Sequence, residues 1–130
     1  MKITGTFDVS LKPLDSYAEG QHGVTLGRMS IDKTFHGELE ASSKGEMLSA
    51  MTAVQGSAGY VAIEQVVGLL AGRVGSFALA HFGTMCDGQN HLVLEVVPNS
   101  GAGGLKGLKG EMAIRIEDGQ HNYDFEFELP

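Results

Sequence analysis

The sequence predicts an all-β protein that closes into an antiparallel β-barrel of about eight strands. Long segments alternate apolar and polar residues with a period of two, and no segment has the period of an amphipathic helix. Asp87-Gly88 and Asp118-Gly119 stand between such segments and are typical of two-residue hairpin turns. Nearly all strands follow one another as hairpins, and closure would remove the unpaired edges of so long a sheet.

Composition limits the chain to one small domain and excludes several functions. With 130 residues we expect a single domain over 1–130. No apolar run approaches the roughly 18 residues that cross a bilayer, and the first ten residues lack the apolar core of a signal peptide. We therefore expect a cytoplasmic protein with no membrane partner. A net charge of −7 with nine scattered basic residues argues against a nucleic-acid partner.

The first half of the chain contains three alternating segments. Residues 2–11 form the first, and a polar, breaker-rich loop over 13–23 follows, in a position to cover one mouth of the barrel. The second segment covers about 24–40. Residues 41–45 resemble a turn, after which 46–54 form the third strand.

Lys33 falls on the apolar side of the second segment, together with Ile31 and Phe35. Two interpretations are open. Either the amine extends back to solvent or sits at a change of register, or Lys33 points into a polar pocket inside the barrel.

The two hairpins after Ser57 allow explicit strand registers, because short loops fix the pairing. With Gly72-Arg73 as the first loop, Glu64 lies directly opposite His81. With Asp87-Gly88 as the second loop, His81 also faces Leu94. The face that carries this pair otherwise holds bulky apolar side chains, so we place it in the interior; they include Tyr60, Phe77, Leu79, Met85 and Leu94.

The opposite face of the same strands is also apolar, which is unusual for an antiparallel sheet with one side in water. It includes Val61, Ile63, Val67, Phe82 and Val93. We expect another copy of the chain to cover this face, which predicts a homo-oligomer.

The remaining segments indicate structure and not chemistry. The glycine-dense segment 99–110 lacks the ending of a phosphate-binding loop, and we interpret it as tight bends. The final hairpin places Ile114 opposite Tyr123. Cys86 has no second cysteine with which to form a disulfide or a zinc site, and we interpret it as a small buried residue.

Four stretches of the sequence resemble a group of small bacterial proteins of unknown function whose fold is similar to the allene oxide cyclase barrel. The stretches are KTFHGELE, GEMLSAMTAVQGSAGYVAIEQVVG, GRVGSFALAHFGTM and VVPNSGAGGLKGLKGEM. The most specific features are Glu64, Gly75-Ser76-Phe77, His81 and the glycine-rich SGAGGLKGLKG. This last element also looks like the glycine-rich turn of allene oxide cyclases and plant dirigent proteins, although Ala102 replaces the more usual threonine. The resemblance implies an antiparallel barrel with a central cavity, often oligomeric, and it implies no activity.

Glu64 and His81 are the leading candidates for a site, with Lys33 and Glu46 as further members. A carboxylate opposite an imidazole can fix its tautomer and raise its basicity, which prepares a general base or a binding anchor. The same pair can equally be a structural pair that satisfies itself. We expect no metal or cofactor, because a third ligand is missing and His91 is predicted on the opposite face.

Three functions fit this pattern. The first is a small-molecule-binding barrel that holds an apolar or carboxylate-bearing ligand among the interior side chains, oriented by the polar pair. The second is a cofactor-free isomerase or cyclase in which Glu64 or His81 moves a proton. The third is a structural or interaction protein with a filled barrel.

Overall fold

The computed structural model describes all residues from Met1 to Pro130 and consists of strands and turns. The strands are β1 (Lys2–Leu14), β2 (Thr25–Gly37), β3 (Leu39–Met51), β4 (Ala58–Leu70), β5 (Arg73–Cys86), β6 (Gln89–Val96), β7 (Ala102–Gly103), β8 (Lys109–Glu117) and β9 (Gln120–Glu128). No helix is present that is long and apolar enough to cross a membrane.

The eight long strands form one closed antiparallel sheet. Their spatial order is β4-β3-β2-β1-β9-β8-β6-β5, and pairing of β4 with β5 closes the circle. The two-residue strand β7 pairs with the beginning of β5. The predicted fold class, an antiparallel barrel of about eight strands, is confirmed.

One half of the barrel is filled by aromatic and aliphatic side chains. Phe77 stacks on Phe125 with ring centroids 5.8 Å apart, and Phe35 meets the Tyr123 ring edge-on at 5.8 Å. The Tyr123 hydroxyl donates a hydrogen bond to the carbonyl oxygen of His36 at 2.9 Å and accepts one from the Leu39 amide at 3.3 Å. The polar end of the largest buried ring is thus satisfied without water.

The glycine-rich segment closes the filled end of the barrel. Leu105 and Leu108 are each 1% exposed and belong to the core. The chain can bend this closely because Gly75 leaves room for it: a Cβ at that position would lie 2.2 Å from the carbonyl oxygen of Ala102. The bends predicted for this segment are present, and they form a plug.

The hairpin turns confirm two of the three predicted registers. Asp87-Gly88 and Asp118-Gly119 adopt positive φ angles at all four residues, as a two-residue hairpin turn requires. His81 pairs with Leu94, and Ile114 pairs with Tyr123, as predicted.

The predicted loop between β4 and β5 is wrong by one position. The turn is Ala71-Gly72, with φ values of 50° and 84°, so Glu64 pairs with Leu79 and Ala62 pairs with His81. Alanine rarely adopts a positive φ, so the sequence gives no local signal for a turn at Ala71. The error displaces the register by two residues, which keeps each side chain on its predicted face, so Glu64 and His81 are diagonal neighbours inside the barrel.

The predicted boundaries of the first three strands also need correction. β1 continues to Leu14, and the turn after β2 lies at Gly37, with φ 110°, and Glu38 instead of at 41–45. Residues 41–45 are ordinary members of β3, in which the small side chain of Ser43 points inward. The loop between β1 and β2 lies at the open end, but none of its side chains lines the cavity described below.

Two further predictions concern exposure. Cys86 is exposed, not buried, because it lies at the end of β5 beside the Asp87-Gly88 turn. The outer face of β4 to β6 is largely apolar, as predicted. The register with β3 adds Leu48 and places four apolar side chains in one row across the four strands β3 to β6: Leu48, Val61, Phe82 and Val93.

The homo-oligomer expected from this outer row stays a prediction. We expect the chain, of 13.7 kDa, to scatter in solution with the mass of two or more copies, because the row would otherwise remain in contact with water. Phe82→Asp should reduce the mass to that of one chain without unfolding it, since this side chain is 49% exposed. A wild-type mass of one chain would contradict the prediction.

Candidate functional site

The half of the barrel opposite the plug contains an open cavity of about 790 Å³. Ligand pockets in proteins commonly have volumes of about 300–1,000 Å³. The wall is mostly apolar and includes Val9, Ile31, Met47, Tyr60, Leu92 and Ile114. A molecule that enters the open end therefore meets a mostly hydrophobic surface before it reaches the floor.

The floor of the cavity is a network of four polar side chains, one from each of the neighbouring strands β2 to β5. Lys33, Ser43, Glu64 and His81 are buried, and apart from Tyr123 no other polar or charged residue of the chain is. Lys33 Nζ donates to Glu64 Oε2 at 2.8 Å, and His81 Nε2 contacts the same oxygen at 2.5 Å. Ser43 Oγ donates to Glu64 Oε1 at 2.7 Å. Glu64 is thus the shared partner of the other three.

A glycine gives the Glu64 backbone its position. Gly45 of β3 pairs with Glu64, and a Cβ on Gly45 would lie 2.6 Å from the Glu64 Cα and 2.8 Å from its Cβ. Real Cβ atoms do not tolerate such distances. Gly45 stands two positions after Ser43 on β3, and its lack of a side chain lets Glu64 of β4 occupy the floor.

The Glu64 carboxyl is ionised although it is 0% exposed. Burial alone raises its pKa. The hydrogen bond from His81, the charge and hydrogen bond of Lys33 and the hydrogen bond from Ser43 together outweigh burial and lower the pKa from 4.5 to about 2. The floor therefore contains a permanent anion at neutral pH.

The ionised carboxylate fixes the tautomer of His81. A carboxylate can only accept hydrogen bonds, so Nε2 of the imidazole must be the nitrogen that donates. Every buried side-chain nitrogen or oxygen has a hydrogen-bond partner. Nδ1 of His81 has no partner within the protein, so this nitrogen is not buried. Nδ1 is therefore open to the cavity that this side chain lines.

Lys33 is held by both charge and aromatic rings. Its Nζ lies 5.0 Å from the centroid of the Phe7 ring and 5.8 Å from that of Phe35, within the range of cation–π contact. The side chain is buried and lines the cavity. Of the two interpretations of Lys33, the structure shows the one in which it points into an interior polar pocket.

The ionisable side chains that line the cavity are basic or phenolic. They are Lys33, Tyr60, His81, His91 and His121. None of the 16 aspartates and glutamates of this acidic chain lines the cavity. Burial and the nearby charge of Glu64 raise the pKa of Tyr60, so its phenol keeps its proton.

The structure separates the predicted site residues into three groups. Lys33, Tyr60, His81 and Met85 line the cavity, with Glu64 directly beneath. Phe77, Leu79 and Leu94 point inward but belong to the filled core and do not line the cavity. Glu46 lies on the outer surface, where its carboxylate accepts a hydrogen bond from Arg28 Nε at 2.7 Å. The inclusion of Glu46 in the site was wrong. Successive side chains of β3 point to opposite faces, so Ser43 points into the barrel and Glu46 points to the outer surface.

Ser43 is the member of the polar network that sequence reasoning missed. The alternation that places Leu39 and Met47 inward continues through residues 41–45 and would have identified it. His91 was predicted on the outer face but reaches the rim of the cavity near the beginning of β6. No group of three or more histidine, cysteine, aspartate or glutamate side chains is placed to hold a metal ion.

Comparison with known proteins gives a family for this chain. A profile described as "Protein of unknown function (DUF3224)" matches residues 3–127. The chain belongs to the DUF3224 family. The bacterial family of unknown function expected from the sequence, and the barrel that the resemblance implied, are thereby confirmed.

A DUF3224 protein of unknown function from Shewanella oneidensis MR-1 has a crystal structure similar to this barrel. The two are 69% identical, the match covers 100% of this chain and 97% of that chain, and the TM-score is 0.98. No curated protein matches the sequence. The family and this structural neighbour are both described as being of unknown function.

The Glu64 network predicts a specific acid sensitivity. Because the folded-state pKa lies below the ordinary value, the stabilisation is complete above about pH 4.5 and is lost as the pH falls toward about 2. Over this range we expect the wild type to lose roughly 3 kcal/mol more unfolding free energy than Glu64→Gln does. Urea unfolding followed by circular dichroism at a series of pH values measures the difference. Parallel curves for the two proteins would contradict the assignment of this carboxyl.

Proposed function

We propose that this DUF3224 barrel binds a small, mostly apolar molecule through an anionic end, of which a carboxylate is the simplest case. The observation that carries the proposal is the cavity itself: its wall is apolar, and the charged groups that line it are basic. Although the chain has a net charge of −7, no carboxylate lines its cavity, so an entering anion meets Lys33 and not the Glu64 carboxylate that lies beneath it.

Lys33 and His81 are the anchors in this proposal. Their nitrogens contact the same Glu64 oxygen, so the ammonium and the imidazole are neighbours on the floor. The ammonium has three N–H donors and uses one of them on Glu64. A bound carboxylate would accept a second from Lys33 and, when the imidazole is protonated, the Nδ1–H of His81. Such charge-assisted bonds are the strong ones.

Glu64 makes this anchor compatible with an empty cavity. Without a ligand, its charge offsets that of Lys33, so the floor does not hold an isolated buried cation. With a ligand, the second cation available from His81 offsets the incoming anion. The network therefore supports both states without a large unpaired charge.

Methionine side chains suit the wall to ligands of varied shape. Four of the six methionines of the chain line the cavity: Met29, Met47, Met51 and Met85. Methionine is flexible and polarisable, so it adapts to different apolar surfaces. We infer that selectivity resides in the head group at the floor more than in the shape of the apolar part.

The cavity counts against the purely structural hypothesis, which requires a filled barrel. The cytoplasmic location expected from the sequence stays a prediction.

Titration with decanoate and with 1-decanol, below their aggregation concentrations, tests the proposal. Isothermal calorimetry should show decanoate binding more tightly than the alcohol by roughly tenfold or more, because a hydrogen bond to a charged group is worth about 1.5–3 kcal/mol. Lys33→Met should remove most of this preference and leave the affinity for 1-decanol nearly unchanged.

The exposed lysine of β3 provides the matched control. Lys44 pairs with Asp32 on the outer surface, so Lys44→Met removes one positive charge without touching the cavity. This variant should bind both probes like the wild type. Equal affinity of the wild type for acid and alcohol, or equal effects of the two lysine substitutions, would contradict the anion site.

A further inference from the structure

We propose that the floor of the cavity is also a proton-transfer site, in which His81 Nδ1 removes a proton from the carbon next to a carbonyl group and Lys33 holds the carbonyl oxygen. The substrate class is an apolar ketone or unsaturated carbonyl compound. This inference rests on the proposed function, since the substrate enters the same cavity and its oxygen replaces the anionic end at the same anchor.

The base is prepared by its hydrogen bond to Glu64. The carboxylate keeps the proton of the neutral imidazole on Nε2, so the lone pair is on Nδ1, and Nδ1 has no partner within the protein. The same carboxylate stabilises the imidazolium that forms when Nδ1 accepts a proton. No aspartate or glutamate lines the cavity, so His81 is the base at the floor.

The electrophile is the ammonium of Lys33. It is tied to the same carboxylate oxygen as the imidazole, lies over the Phe7 and Phe35 rings, and is buried. Charge that develops on a substrate oxygen is stabilised most by a donor already oriented in such surroundings. A carbonyl oxygen on Lys33 would place the adjacent carbon near the imidazole.

The reaction balances within the substrate. Nδ1 takes the proton, the electrons of the C–H bond form a carbon–carbon double bond, and those of the carbonyl π bond move to the oxygen, giving an enolate beside Lys33. The imidazolium then returns the proton. Return to the distal carbon of a β,γ-unsaturated compound gives the conjugated isomer. If the imidazolium first exchanges the Nδ1 proton for a deuteron of the solvent, return to the original carbon places deuterium there in place of hydrogen. No oxidant, reductant or second substrate is consumed.

The position of the network distinguishes this role from a structural one. A buried ion pair is seldom more stabilising than apolar residues of similar volume, and the filled half of this barrel contains only the Tyr123 hydroxyl as a buried polar group. The four polar side chains occur together only where the cavity begins. One nitrogen of the network is left open to that cavity, which packing alone does not require.

Deuterium exchange of 2-octanone in D₂O, followed by proton NMR, tests the inference. The wild type should accelerate loss of the signals from the carbons next to the carbonyl group at least tenfold over buffer, with saturation at high ketone concentration. His81→Gln keeps an N–H donor toward Glu64 but has no base, so exchange should fall to the buffer rate while ketone affinity changes little. Lys44→Met should behave like the wild type.

Glu64 is a positioning residue in this scheme, and its test separates rate from affinity. Glu64→Gln should lower the rate constant at saturating 2-octanone at least tenfold and change the dissociation constant much less. A merely structural role would move both together. Circular dichroism and the melting temperature show whether each variant is folded, and Ser43→Ala, which keeps both nitrogens, provides a milder change in the same network.

The outcomes separate this inference from the proposed function. Binding of decanoate without accelerated exchange of 2-octanone would overturn the proton-transfer site and leave the anion site standing. Exchange in His81→Gln at the wild-type rate would also overturn it. If the wild type binds neither decanoate nor 2-octanone, both proposals are overturned. Exchange that is saturable and depends on His81 would support the inference.

Discussion

The rest of the structure depends on one buried anion, the carboxylate of Glu64. A fully buried charge is tolerated only when donors surround it, and here three donors come from Lys33, Ser43 and His81 on three other strands. The requirement fixes the relative positions of β2 to β5 at one level of the barrel. Removal of one donor would leave part of the charge unpaired, which is more costly than loss of an ordinary contact.

This level also divides the barrel. On the plug side, the interior is filled by aromatic rings and by Leu105 and Leu108; on the open side, it is a cavity with a flexible, methionine-rich wall. A filled half holds the strands in place by apolar burial, so the other half can remain open without collapse. The polar network lies between the two and contacts both. The packed core holds the network in place, and Nδ1 of His81 faces the cavity.

Much of this arrangement could be predicted from alternation and turn chemistry, and the failures have physical causes. The Glu64–His81 pair survived a misplaced turn because an error of two residues keeps the face. Alternation specifies a face but not depth along the barrel axis, so Phe77 and Leu94 were predicted in a pocket although they fill the core. Ser43 was missed because small polar residues resemble a turn. The partner of Lys33 lies on a strand distant in sequence, and no local pattern shows it.

Ionised Glu64 holds His81 as the Nε2–H tautomer with Nδ1 open to the cavity. Long-range proton–nitrogen NMR of the histidine side chains measures this directly. At neutral pH the spectrum should show the His81 Nε2 proton in slow exchange with water and shifted far downfield, and the signal should disappear or move in Glu64→Gln. A proton resident on Nδ1 in the neutral imidazole, or a spectrum of His81 that is the same in both proteins, would contradict the account.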